Sequence, residues 1–222
     1  MLDVSLYGHL TLDRVFSRKD SYCSVGSLGN VWKHLNKINP ALNIGLNPTE
    51  LGEALIYVDV DKCERASVAN LSNFVSEPEI HPSRWSHILY LNELTDVSFV
   101  PKISEGIVSA DLCAGASLQD LSVLSHLDFL FISDEDLFMD LLELGKLVKG
   151  SVILHHSGGS KWTDGKTVKT HTITKLANVN VLGCGDMFAS LFINNYLSGE
   201  ADISSIIKQC HDGITSILKN QL

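Results

Sequence analysis

Val179-Asn180-Val181-Leu182-Gly183-Cys184-Gly185-Asp186-Met187-Phe188 passes from a loop into an apolar helix. Gly183 and Gly185, two residues apart, allow a tight turn and leave its amides uncovered by side chains. The positive end of the helix that starts here points at the same spot, so an anion placed at the turn is held. Asp186 falls in the first helical turn. A carboxylate there can take a proton from a hydroxyl while the amides hold a phosphoryl group. The same four residues also fit a plain tight turn in which the aspartate caps the helix. The surrounding chain has to separate the two readings.

Outward from this turn, the 222 residues alternate between short β-rich runs and helical patterns. Such alternation predicts a three-layer Rossmann-like α/β sandwich, a mostly parallel central sheet with helices on both faces. Strands are expected over Asp3–Gly8, Ala41–Leu46, Ala54–Val60, His87–Leu91, Gly106–Leu112, Leu127–Ile132, Val152–His155 and Thr167–Thr174. Helices are expected over Gly29–Asn36, around Ser117–Leu124, and from Asp134 to about Val148, where Asp134, Glu135 and Asp136 suit the positive end of the dipole. Ile203, Ile206, Ile207, Cys210, Ile214, Ile217 and Leu218 recur at helical spacing. Asp164-Gly165 has the chemistry of a hairpin turn.

The formal net charge of −9 argues against a nucleic-acid partner, which clustered Lys and Arg would meet. It leaves room for an anionic ligand, because backbone amides bind phosphate whatever the net charge. No run approaches the ~20 apolar residues of a membrane helix, and the N-terminus lacks a signal-peptide pattern, so a cytoplasmic protein without membrane contact is expected. Cys23, Cys63, Cys113, Cys184 and Cys210 are scattered, with no close pair, and read as reduced thiols. His155 and His156 would point to opposite faces of a strand, which disfavours a shared metal ion.

Read end to end, the chain resembles the ribokinase-type (PfkB) carbohydrate kinases. Their late D-T-x-G-A-G-D motif is matched at Gly183, Gly185 and Asp186, with Asn180, Val181 and Cys184 in place of Asp, Thr and Ala. The resemblance implies that Gly183, Cys184 and Gly185 form an anion hole and that Asp186 is the base activating an acceptor hydroxyl. Gly8-His9-Leu10-Thr11-Leu12-Asp13 is similar to the family's opening G-x-x-x-x-D, and Val25-Gly26-Ser27-Leu28-Gly29-Asn30 to its G-G-x-x-x-N. These matches imply acceptor contacts at Asp13, Gly26 and Asn30. Val152–Gly158 with the Trp162–Gly165 turn is similar to the strand and turn flanking the nucleotide, implying roles for His156 and Gly158. The family's N-x-x-E falls on Ser133-Asp134-Glu135-Asp136, so Asp136 is the residue implied near magnesium.

The resemblance therefore implies a single ribokinase-like α/β domain over 1–222, with ATP and Mg2+ and a small molecule bearing a hydroxyl as acceptor. The short spacing from Asp13 to Gly26 implies that the family's β lid is reduced or absent, a gap that a second subunit of a homodimer would fill. Two other readings stay open: a homologue that binds nucleotide or sugar without turnover, and an oligomeric scaffold using an open sheet edge.

Overall fold

Phe129 and Phe131 face one core while Leu130 and Ile132 face another, so this strand is apolar on both sides and must lie inside a sheet covered on both faces. That placement organises the whole chain. The computed structural model describes residues 1–74, 77–112, 118 and 120–220. The chain order is β1 (Leu2–Ser17), β2 (Ser21–Val25), α1 (Ser27–Ile38), β3 (Ile44–Asp59), β4 (Glu64–Phe74), β5 (Ser83–Ile88), β6 (Ile107–Asp111), β7 (Phe129–Ser133), α2 (Leu141–Leu147), β8 (Ser151–His156), β9 (Gly159–Thr163), β10 (Val168–Thr172), α3 (Cys184–Leu197) and α4 (Ile203–Lys219).

The sheet runs β10-β9-β8-β7-β6-β5-β1-β3-β4, with β2 paired to β1. Strands β3, β1, β5, β6, β7 and β8 are mutually parallel, and the flanking pairs are antiparallel. Helices α1, α3 and α4 cover one face through Leu28, Val31, Leu35, Phe188, Phe192, Ile206 and Ile207. On the other face lie α2 and the 3-10 turns at Leu91–Glu93, Val100–Lys102 and Leu121–His126. The expected three-layer sandwich is the observed one. Among the described residues, no helix is long and apolar enough to cross a membrane.

Several expectations are corrected. The runs Ala41–Leu46 and Ala54–Val60 belong mainly to one long strand, β3, which continues through Asn47-Pro48-Thr49-Glu50. Parallel pairing with β1 carries it past that proline, with a register shift at Gly8/His9. The helix expected from Asp134 begins only at Leu141. Asp136 turns back to the amide and hydroxyl of Ser133, and Asp140 caps α2 by accepting from the amides of Leu142 and Glu143. A 3-10 turn at Leu121–His126 replaces the expected short helix, whose start lies partly outside the described residues, as does Cys113.

A β layer also stands over one end of the sandwich. Beyond the central sheet, the outer halves of β1 and β3 run on together, flanked by β2 and β4. The pleat turns Thr11, Asp13, Ala54, Ile56, Arg65, Ser67 and Ala69 inward over a cavity. Val15, Ala54, Ile56 and Val58 form a small buried cluster there, packed by Val60 and Leu182. The outward face carries Leu12, Phe16, Leu55, Tyr57 and Val68, all exposed.

Candidate active site

The cavity, about 470 Å³, opens at the C-terminal ends of the parallel strands, beneath the β cover. Ligands bind at this end in open α/β sheets. Gly183 precedes α3 with φ 76°, a left-handed conformation that favours glycine. Asn180 Oδ1 accepts from the Leu182 amide at 2.9 Å and steadies the approach to the turn. The Cys184 amide donates to the Val181 carbonyl at 3.1 Å. The first-turn amides of Gly185 and Asp186, which lie too early in α3 for intrahelical partners, are then the donors at the helix start.

Asp186 is 4% exposed, and Asn30 Nδ2 donates to its Oδ2 at 3.0 Å across 156 residues of sequence. Burial pushes the Asp186 carboxyl up to about 7, against the lowering effects of the Asn30 hydrogen bond and of Arg65. The Cys184 thiol is pushed up to about 11, first by burial and then by Asp186, so it stays protonated at neutral pH. His155 is driven down to about 4 by burial, and its neutral ring stacks on Phe188.

Asp13, on β1, accepts from Thr11 Oγ1 at 2.6 Å and is raised by burial. Gly26 meets the same threonine. A Cβ built there would stand 1.9 Å from Thr11 Oγ1, so only glycine lets α1 start this close to β1. His156 Nδ1 accepts from the Gly158 amide at 3.1 Å, closing the turn after β8. Asp136 Oδ2 is held by Ser133, whereas its buried Oδ1 has no hydrogen-bond partner. Asp13, Gly26, Asn30, Asp136, His156 and Gly183–Asp186 all line the one cavity; Gly158 sits beside it, bonded to His156.

Two further residues of that wall escaped the sequence reading. Asp111, at the end of β6, is 4% exposed and raised well above the carboxylate range by burial and by the neighbouring Asp186 and Asp136. A carboxylate closing the short β-rich run Ile107-Val108-Ser109-Ala110 was the available signal. Arg65 reaches the site from β4, an edge strand whose Arg65-Ala66-Ser67-Val68 alternation turns its polar residues to the cavity and its apolar ones outward.

No protein-family profile and no curated protein matches the sequence. Solved structures do match. The chain is similar to a ribokinase from Thermotoga maritima (TM-score 0.71, 17% identity, covering 93% of this chain and 90% of that one). It is similar to an adenosine kinase from Sinorhizobium meliloti (TM-score 0.66, 14% identity, 94% and 90% covered). A third similar structure is a sulfate complex of a pyrophosphate-dependent kinase in the ribokinase family (TM-score 0.61, 15% identity, 92% and 91% covered). With the parallel sheet, the β cover and a cavity at the strand ends all in place, the chain has the ribokinase-like fold of the PfkB-type carbohydrate kinases.

Proposed function

We propose that the protein is an ATP-dependent kinase, working as a single α/β unit, that moves the γ-phosphate to a hydroxyl of a sugar or sugar-like small molecule. The observation that carries this reading is Asp186: a buried carboxylate raised to about 7, held by Asn30 at 3.0 Å, in the first turn of a helix that opens on a glycine turn. A base of that pKa suits proton abstraction near neutral pH and is worth roughly 10² to 10⁴-fold in rate.

Asp13 and Thr11 orient the acceptor, and Gly26 and Asn30 border it. Asp186 takes the hydroxyl proton as the acceptor oxygen bonds to the γ-phosphorus. The bond from that phosphorus to its bridging oxygen breaks, and ADP leaves with the electron pair. The amides at the start of α3 hold the phosphoryl oxygens through the transfer. His156 and Gly158 border the nucleotide. Asp136 lines the cavity, and its buried, partnerless Oδ1 fits a residue that would hold a magnesium ion or its bound water. Magnesium supplies charge neutralisation on the donor phosphates when bound.

The test is phosphate transfer from magnesium–ATP to a panel of sugars and nucleosides, wild type against Asp186→Asn. Loss of transfer in the variant is expected. Undiminished transfer would rule Asp186 out as the base; nucleotide binding by a wild type that transfers to nothing would favour a binding homologue.

A further inference from the structure

We propose that Arg65 is a catalytic residue, delivered by the β cover, that binds the transferred phosphoryl group from the side opposite the glycine turn. The proposal rests on the kinase reading above and adds a residue to it.

The pleat places the side chain. Strand β4 pairs with β3 in the register Val58↔Arg65, Ile56↔Ser67 and Ala54↔Ala69. Val58, Ile56 and Ala54 are buried, so Arg65, Ser67 and Ala69 share the inward row, whereas Leu55 and Val68, paired one step away, point to solvent. Arg65, Ser67 and Ala69 all line the cavity that Gly183–Asp186 lines from below.

The hairpin tip fixes where along that cavity Arg65 stands. Val60 and Leu182 pack on the same apolar cluster, and Leu182 immediately precedes Gly183. Cys63 Sγ lies 3.9 Å from the Leu176 carbonyl oxygen. The tip is thus seated on the segment leading into the glycine turn, and Arg65 follows Cys63 by two residues. The electrostatics agree. The guanidinium pulls down the carboxyls of Asp186, Asp111 and Asp136, whereas burial and Thr11 alone set that of Asp13. Arg65 therefore stands over the transfer point rather than over the acceptor's far end.

The chemistry there calls for such a group. Asp13, Asp111, Asp136 and Asp186 surround the path of an anionic phosphoryl group, and the helix amides approach it from one side only. Lys62 and Lys175 also line the cavity, but each ends in a single ammonium. A planar guanidinium fork matches two phosphoryl oxygens at once, which an ammonium cannot do.

The experiment compares wild type, Arg65→Ala and Arg65→Lys, with two readouts. In melting curves, the extra stabilisation given by magnesium and a nonhydrolysable ATP analogue over magnesium–ADP is expected to be lost in Arg65→Ala and reduced in Arg65→Lys. In initial rates, kcat is expected to fall about 10² to 10³-fold in Arg65→Ala with the acceptor KM unchanged, and Arg65→Lys to recover part of it. An Arg65→Ala variant that keeps the full analogue increment and the wild-type kcat overturns the proposal. So does a rise in acceptor KM alone, which would put Arg65 on the acceptor. A wild type that no nucleotide stabilises fails the kinase reading itself, a result distinct from either.

Discussion

Replacing Asp186 by Asn should make the protein more stable at pH 8 while abolishing its activity. The Asp186 carboxyl stands at about 7 in the folded protein against an ordinary aspartate value of 3.8. Its folded pKa is raised, so the native state binds the extra proton between these values, and stability falls as pH rises through that window. Below about pH 4 the group is neutral in both states and costs nothing. Above about pH 7 the native state carries the full cost of a buried charge: some three pH units at 1.36 kcal/mol each, or about 4 kcal/mol. Asparagine keeps the shape and can still accept from Asn30 without that charge. Asp111, whose own carboxyl is raised in part by Asp186, is relieved as well. For a chain of this length, about 4 kcal/mol corresponds to roughly 8–16 °C in Tm. The assay is thermal melting of both proteins from pH 5 to pH 8.5 in the absence of ligand. The gain should be smallest at the acid end, about 1.5 kcal/mol at pH 5 where the unfolded carboxyl is already mostly ionised, and grow to its full value through neutrality. Equal melting temperatures at pH 8, or a gain independent of pH, would refute a buried, raised carboxyl at this position.

Two other outcomes follow from the same site. Asn30→Ala removes the donor to Asp186 Oδ2, so the acid limb of the kcat/KM profile should move about one to two units to higher pH, as loss of a bond to a charged group worth about 1.5–3 kcal/mol implies; pH–rate profiles of the two proteins check this. Gly26→Ala places a methyl group 1.9 Å from Thr11 Oγ1 and should push the start of α1 away from β1, raising acceptor KM more than donor KM, measured by varying each substrate in turn.

What was legible in the sequence was local. The glycine pair before Asp186 marked the start of α3, and the apolar runs of β6, β7 and β8 marked the parallel core because such strands are buried on both faces. What was not legible depended on partners distant in sequence. Asn47-Pro48-Thr49-Glu50 looks like a break, yet pairing to β1 makes it strand. The strand β4 is an edge over a cavity, with Arg65 and Ser67 turned inward and Val68 to solvent, so no buried apolar stripe announced it or Arg65. The acidic run at Asp134–Asp136 resembled a helix start. Its third carboxylate instead folds back on Ser133 and leaves one buried oxygen without a partner.

The hydrogen bond between Asn30 and Asp186 also sets an order of events during synthesis. Strands β1 to β4 span residues 2–74 and pair among themselves, so this β layer can form while most of the chain is still unmade. Asp186 arrives 156 residues after the Asn30 amide that holds it. At a ribosomal rate of about 5–20 residues per second, roughly 8 to 30 seconds separate the two halves of the site. During that interval the growing chain has Asn30 and no carboxylate for it to hold.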